Sequence, residues 1–279
     1  MYRICVISIF AVTTLLVTTA WSHAQLELSM TLSHATYLQY EPIVARTTVR
    51  SKMGQPMVLN SRPEGPTFYY EVKDAYGFIL EPLGPRAIPE PIMVPPQSSL
   101  VLTNNILSLF PMAKTGFYSV EPCIDWRGKT YRGQKLHVEI VSGREVIRTA
   151  GIAASDQTSR TYLILHVNRG HQDQIALRID DDERNLCFGV FPLGRTIINT
   201  TPELAVDIDG NAHVLFQAAP NIYVHAKYSP FGTLIEQESY GQNFSKVRLQ
   251  TRVNGGIEAV GQPVERGGPR MINSIINNR

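Results

Sequence analysis

The sequence is poor in the residues that mark several protein classes. Its 279 residues include three cysteines and two tryptophans, and only 18% are charged. Three cysteines are too few for a disulfide-based scaffold. The 26 Lys and Arg residues nearly balance the 24 Asp and Glu residues, which argues against binding to nucleic acid. The hydrophobic fraction of 43% is enough to build a core, which excludes a disordered chain.

The common catalytic signatures are missing as well. The sequence contains no Gly-x-Ser-x-Gly, no His-Glu-x-x-His and no phosphate-binding loop. We therefore expect no cofactor, and the lack of such motifs favours a binding protein over an enzyme.

The first residues have the three parts of a secretory signal peptide. Met1–Arg3 carries a positive charge, Ile4–Ala20 carries none, and Ser22–Ala24 has small residues at its ends. This pattern predicts a signal peptide over residues 1–24, with an uncleaved signal anchor as the alternative. No later stretch reaches membrane-spanning length. We expect a secreted or periplasmic protein with no membrane span after cleavage.

Two cysteines, Cys123 and Cys187, follow the predicted cleavage site. An exported chain is able to pair them as a disulfide. Two free, partly buried thiols are the simpler expectation. The sequence leaves the choice open.

Short alternating segments predict an all-β domain over residues 25–141. Leu26-x-Leu28-x-Met30-x-Leu32 has the period of two that a half-buried strand requires. Residues 81–99 are rich in proline, which cannot donate in a strand ladder, and they are predicted to form a long surface loop or an excursion at the edge of a sheet. The polar residues 142–160 are predicted to be a linker, with one short strand at Val146–Ile147 as a further option.

Residues 161–264 predict a second antiparallel β domain of short hairpins, followed by a flexible tail over 265–279. Asp209–Gly210 and Asn254–Gly255 are hairpin-turn signals 45 positions apart. Pro192–Gly194 and Pro230–Gly232 suggest a second repeat with a spacing of 38. A period near 40 residues is typical of propeller blades.

Two weak resemblances follow from these motifs. Tyr37-x-x-x-Glu41-Pro42-Ile43 and Gly116-Phe117-Tyr118-x-Val120 are similar to a bacterial immunoglobulin-like sandwich, in which Tyr118 would bond to upstream backbone. The stretch from Val206 to Val214 resembles the blade turn of sialidase-like (BNR-type) propellers. Since a closed propeller needs at least about four blades, the resemblance implies an open stack of blade-like hairpins.

Two clusters are candidate metal sites. His213 and His225 flank a predicted turn, and an odd loop length would make them direct cross-strand partners. An even loop would place them on opposite faces. Asp207 and Asp209 resemble the start of a calcium loop, although the remaining ligand positions are missing. Structural histidines and a plain turn are the alternatives.

Aromatic residues near the proline-rich segment are candidates for a binding surface. Phe68, Tyr69 and Tyr70 are consecutive, so at least one ring should point away from the core, and Tyr76 follows nearby. Cross-strand packing of these rings is the alternative.

The sequence therefore predicts a secreted, non-catalytic binding or interaction module at the bacterial cell envelope, with an envelope protein or glycan as partner. The first alternative is a glycan or peptide hydrolase whose active site lies between the two domains. A second is a protease-inhibitor-like sandwich that acts through a protruding loop in residues 81–99. The oligomeric state is left open.

Overall fold

The structure, a computed structural model, describes residues 25–264 except 62–63, 89, 198 and 243–245. The predicted signal peptide and the predicted tail lie outside the described residues. Almost all regular structure in the described chain is β-strand, which confirms the all-β prediction. The helix found there is a single turn, and no helix in these residues is long and apolar enough to cross a membrane.

The first domain contains ten strands and one helical turn. They are β1 (Leu26–Leu32), β2 (Thr36–Leu38), β3 (Val44–Ser51), β4 (Met57–Leu59), β5 (Thr67–Lys73), β6 (Ile92–Val94), β7 (Ser99–Asn105), α1 (Ile106–Leu109), β8 (Gly116–Trp126), β9 (Lys129–Arg132) and β10 (Leu136–Val141). One sheet has the order β1-β3-β7 and the other β2-β10-β8-β5, with β9 on β8 and β4 paired with β6. Both main sheets contribute to one apolar core.

Alternation along each strand explains how this core forms. In β3 the side chains of Ala45, Thr47 and Val49 are buried, while the residues between them face outward. In β8 the hydroxyl of Tyr118 donates to the carbonyl of Lys114 at 2.9 Å, the upstream backbone bond that the sequence predicts. This bond fixes the loop that leads into β8.

The second domain begins earlier than predicted. Its strands are β11 (Arg144–Ile152), β12 (Ser159–Arg169), β13 (Gln172–Asp181), β14 (Leu186–Arg195), β15 (Glu203–Val206), β16 (Ala212–Ala219), β17 (Ile222–Tyr228), β18 (Leu234–Gly241), β19 (Arg248–Thr251), β20 (Ile257–Val260) and β21 (Gln262–Pro263). Strand β11 lies inside the segment predicted as a linker and pairs with β12 along its length. Almost half of the predicted linker is therefore an edge strand.

Two antiparallel sheets face each other in this domain. The first has the order β11-β12-β13-β14 and the second β15-β16-β17-β18-β21. Side chains from β12, β13, β16 and β17 form their shared core. Strands β19 and β20 form a separate pair whose Leu249 and Ala259 pack on the far face of the second sheet.

One of the two predicted repeats has a common geometry. Asp207 N–H donates to Asn211 O and Gly210 N–H to Asp207 O, and the same two bonds join Arg252 to Gly256 and Gly255 to Arg252. Both glycines have positive φ, +85° and +78°. The other repeat does not join equivalent positions, because Pro192–Gly194 lies in β14 and Pro230–Gly232 lies in a turn.

The two domains share a small apolar contact. Leu38 of β2 packs with Leu163 and Leu165 of β12, on the face of the β11–β14 sheet opposite the domain's own core. Beside it, Arg169 forms a buried ion pair with Glu41. Leu38 N–H donates to the same carboxylate at 2.8 Å, so Glu41 ties the turn of the first domain to the second.

Candidate functional site

The histidine pair lies on the face of the second sheet opposite that domain's core. In the β16–β17 pairing His213 is opposite Lys227 and His225 is opposite Leu215. The histidines are therefore diagonal neighbours on one face, which is neither the direct pairing nor the placement on opposite faces that the sequence left open. A β-bulge between Gln217 and Ala219 sets this register.

Hydrogen bonds join the two histidines to the carboxylate of Asp207 in a chain. His213 Nε2–H donates to Asp207 Oδ2 at 3.1 Å, and His225 Nε2–H donates to His213 Nδ1 at 3.0 Å. These assignments follow because a carboxylate only accepts, which leaves His213 Nδ1 as the acceptor for His225. Lys227 Nζ lies 3.1 Å from the same Asp207 oxygen.

Burial and hydrogen bonding together set the protonation states of Asp207, His213 and His225. It lowers the pKa of His225 to about 4, with His213 as a further cause, and it lowers the pKa of His213 despite the opposing effect of Asp207. Burial alone would raise the pKa of Asp207, but hydrogen bonds from Asn211, His213 and Lys227 outweigh it and lower that pKa to about 2. At neutral pH the chain is one carboxylate and two neutral imidazoles.

This arrangement is suited to holding side chains in place. Each nitrogen that joins the chain is already engaged, so His213 and His225 do not point at a common vacant position. In the described part of the chain no group of three or more His, Cys, Asp or Glu side chains is arranged to hold a metal ion. Asp207 also accepts from the backbone of Asp209 and Asn211, as in a plain turn. The metal site stays a prediction.

The predicted aromatic surface is divided between the core and the exterior. Phe68 and Tyr70 are buried in the first domain's core, so they present no ring to a partner. Tyr69 points to the other face, but Arg86 covers its ring at 3.7 Å and its hydroxyl donates to Asp125. Only Tyr76 of the four is exposed, at 87%.

A cavity of about 260 Å³ lies where the proline-rich loop meets strand β5. Its walls are mainly apolar and include Tyr70, Leu83, Ile88 and Phe110. The loop is tied down by Leu83 N–H, which donates to Leu109 O at 2.8 Å. Close by in the chain, Phe78 and Leu83 are 72% and 65% exposed. The cavity and these side chains are therefore considered as a candidate binding surface.

The contact between the domains contains an arginine and an acid, as an interdomain active site would need, but this pair is buried. Arg169 and Glu41 are both buried and paired, and Leu38, Leu163 and Leu165 fill the contact beside them. Their chemistry is that of a structural ion pair.

Both described cysteines are free. Burial raises the pKa of Cys123 to about 11 and that of Cys187 to about 12. Thiols with such high pKa values are protonated at neutral pH and are poor nucleophiles.

Sequence reasoning missed a buried arginine cluster. Arg160 is fully buried, pairs with Asp181 at 3.0 Å and Asp156 at 2.6 Å, and lies over the ring of Phe188. The partners come from a turn and from the next strand, so no local pattern reveals them. The cavity was missed for a similar reason, since prolines mark a loop but not what it covers.

Comparisons with known proteins add little to this geometry. No family model matches the chain, and no curated protein matches it. Among solved structures, the sporulation control protein Spo0M from Bacillus subtilis is similar with a TM-score of 0.26 and 9% identity, over 58% of this chain and 82% of that chain.

Proposed function

We propose that this chain is a secreted, non-catalytic binding module at the bacterial cell envelope, with an envelope protein as its partner. The observation that carries the proposal is the apolar cavity beside β5, which the exposed Leu83 lines, together with the exposed side chains of Tyr76 and Phe78 a few residues earlier in the chain. Exposed large apolar side chains and concave apolar surfaces are both typical of interaction sites.

The finer architecture supports this role. We interpret the first domain as an immunoglobulin-like sandwich, on the basis of its two facing sheets and the bond from Tyr118 to upstream backbone. We interpret the second domain as blade-like. Its successive sheets begin with β11, β15 and β19, and these first strands lie side by side, with β11 next to β15 and β15 next to β19. Folds of both kinds commonly present loops from a rigid scaffold for binding.

The proposed location depends on the sequence of residues 1–24. If the chain is exported and cleaved after Ala24, we expect the mature protein to begin at Gln25. N-terminal sequencing of the protein from the periplasm or the medium tests this expectation. A chain that retains Met1 in the membrane fraction would instead indicate a signal anchor.

The binding surface is tested by capture of proteins from an envelope extract on the immobilised mature chain. We expect Phe78→Ser with Leu83→Ser to reduce the captured partner at least tenfold. Val253→Ser removes a fully exposed side chain from a turn of the second domain and serves as the matched control. Equal capture by all three proteins would contradict the proposal, and capture of polysaccharide alone would favour a glycan partner.

The hydrolase alternative draws on one feature, the hydrogen-bonded chain of Asp207, His213 and His225. Such a chain orients a general base in many hydrolases. Here both histidines are buried, and the chain ends at His225 without a Ser or Cys partner among the described residues. We therefore favour the binding module.

A further inference from the structure

The β19–β20 pair covers only part of the face on which it packs. Leu249 N–H of β19 donates to the carboxylate of Glu203 in β15 at 2.8 Å, and the turn at Gly255 lies against Ile208. The pair therefore follows β15 and β16, with β20 over β16. Among the described residues no further strand follows β20 over β17 and β18.

The hydrogen-bond pattern of this pair shows which backbone groups face outward. Arg252 N–H donates to Gly256 O at 2.7 Å, so residues 252 and 256 are a bonded pair. Bonded and non-bonded pairs alternate along an antiparallel ladder, which makes Leu249 and Ala259 a non-bonded pair. The bond from Leu249 N–H to Glu203 agrees with this assignment, because it points away from β20. The N–H and C=O of Ala259 therefore point away from β19.

The same alternation applies to Ile257, which is opposite Thr251. Ile257 and Ala259 together present two N–H and two C=O groups at the outer edge of β20, and none of them has a hydrogen-bond partner among the described residues. Both residues are half-buried, and Val260 at the end of the strand is 40% exposed. This edge is therefore accessible to an added strand.

Two acidic side chains lie on the part of the face that β20 leaves uncovered. Glu236 and Glu238 of β18 are opposite Lys227 and His225 of β17, so they share the face on which β19 and β20 pack. Both are exposed, and neither forms an ion pair with a described residue, since Lys227 pairs with Asp207. Two carboxylates with a spacing of two residues are suited to basic side chains of the same spacing.

The surroundings of Tyr240 show that carboxylates of both sheets meet here. Burial raises the pKa of Tyr240, and the hydrogen bond that it donates to Glu238 and the charges of Glu236 and Glu258 raise it further. Glu258 belongs to β20 and is paired with Arg252. A strand added beside β20 would therefore enter a region of negative potential.

A second copy of this chain does not fit the edge. Two β20 strands paired around Glu258 would place like charges directly opposite each other, which is destabilising. Strand β20 also contains no Lys or Arg, so the carboxylates of Glu236 and Glu238 would stay without partners.

We propose that an extended peptide segment of a partner, with Lys or Arg at alternate positions, adds as a strand to the outer edge of β20. It bonds to the N–H and C=O of Ile257 and Ala259 in the manner of strand addition. Its residues opposite these two point to the second sheet, where their basic side chains meet Glu236 and Glu238. This contact is separate from the cavity of the first domain and goes beyond the proposed function.

The test uses a phage-displayed random nonapeptide library as the probe, selected against the mature chain. The enriched peptide is synthesised and its dissociation constant is measured for wild type, Glu236→Lys and the control Glu183→Lys. Both residues are exposed acids of the second domain, so the two variants have the same charge change. We expect Lys or Arg at alternate positions of the peptide, at least tenfold weaker binding by Glu236→Lys, and unchanged binding by Glu183→Lys. Failure to enrich any peptide, or equal loss in both variants, would overturn the inference.

Three further readouts identify the mode of binding and the occupant. In the complex the amides of Ile257 and Ala259 should exchange with deuterium at least tenfold more slowly, and N-methylation of the peptide should abolish binding at alternate positions only. Unchanged exchange, or tolerance of N-methylation throughout, would contradict strand addition. Binding that requires removal of residues 265–279 would identify the chain's own tail as the occupant, and a dimer in sedimentation that the peptide dissociates would identify a second copy. Either result would overturn the inference.

The outcome is independent of the proposed function. Phe78→Ser with Leu83→Ser should leave peptide binding unchanged, because both residues lie in the first domain. Loss of peptide binding in that variant would place the peptide at the cavity and would also overturn the inference. Capture of an envelope protein that depends on Phe78 and Leu83 would support the proposed function whether or not the peptide binds β20.

Discussion

Acid should destabilise the second domain through the buried histidine chain. The pKa of His225 falls to about 4 because the side chain is buried, against about 6.5 in an unfolded chain. Between these values the unfolded chain binds a proton that the folded chain does not. The contribution of His225 to the free energy of unfolding is therefore largest above pH 6.5 and decreases as the pH falls to 4.

The size of the effect follows from the two pKa values. A difference of this size costs about 2 kcal/mol of unfolding free energy between pH 7.5 and pH 5.0, and about 3 kcal/mol once the pH is below 4. His213 adds to the loss, since its pKa is also lowered. Asp207, with a pKa of about 2, contributes a separate loss only below about pH 4.

The assay is urea unfolding followed by far-ultraviolet circular dichroism at pH 7.5, 6.5, 5.5 and 5.0, for wild type and His225→Gln. The variant should be less stable at pH 7.5 but should lose at least about 1 kcal/mol less than wild type on going to pH 5.0. His34 of the first domain has a pKa also lowered to about 4, so His34→Gln serves as the comparison. The effects of the two substitutions should add, because the residues share no partner. An identical pH dependence in wild type and His225→Gln would refute the reasoning.

Three further predictions concern stability. Gly210→Ala should lower the free energy of unfolding by about 2–3 kcal/mol, because φ is +85° and a Cβ would lie 2.6 Å from Ile152 O. Gly77 has the same φ but open space around it, so Gly77→Ala should cost about 1 kcal/mol in the same urea assay. Arg160→Met should cost about 3 kcal/mol, because it leaves the buried carboxylate of Asp181 with only the exposed Arg184 as an ion-pair partner, and adding Asp181→Asn should recover part of the loss. A reductant should leave the melting temperature unchanged, because both described cysteines are free. Cys123 and Cys187 should react with a thiol reagent at pH 8 only after unfolding, because burial raises the pKa of both thiols. A drop in melting temperature on reduction would show a disulfide.

Local patterns were sufficient to predict strands where one face of the strand is buried. The alternation of Leu26–Leu32 predicts β1 because the period of two is contained in the strand itself. The residues of β11 are mixed and polar, so the sequence assigns them to a linker. An edge strand that is largely exposed has the same composition, and the pattern does not separate the two. Its Gly151 lies so close to Val206 of the neighbouring sheet that a larger side chain would clash, and that contact depends on tertiary packing.

The histidine chain shows where sequence reasoning stops. The turn signal at Asp209–Gly210 correctly predicted a hairpin, but the sequence placed Asp207 and the two histidines in separate candidate clusters. Their geometry depends on the bulge between Gln217 and Ala219, which shifts the register by one residue and so brings His213 and His225 to the same face of the sheet. A bulge leaves no signature in the alternating pattern that would predict it.

The aromatic run shows a limit of another kind. A strand alternates its faces, so the run of Phe68, Tyr69 and Tyr70 predicts that at least one ring points away from the core, and Tyr69 does. Its ring is nonetheless covered, because Arg86 of the proline-rich loop lies 3.7 Å from its centroid. That cover comes from a loop more than ten residues away in the sequence, so side-chain types along one strand predict which way a ring points but not whether a partner can reach it.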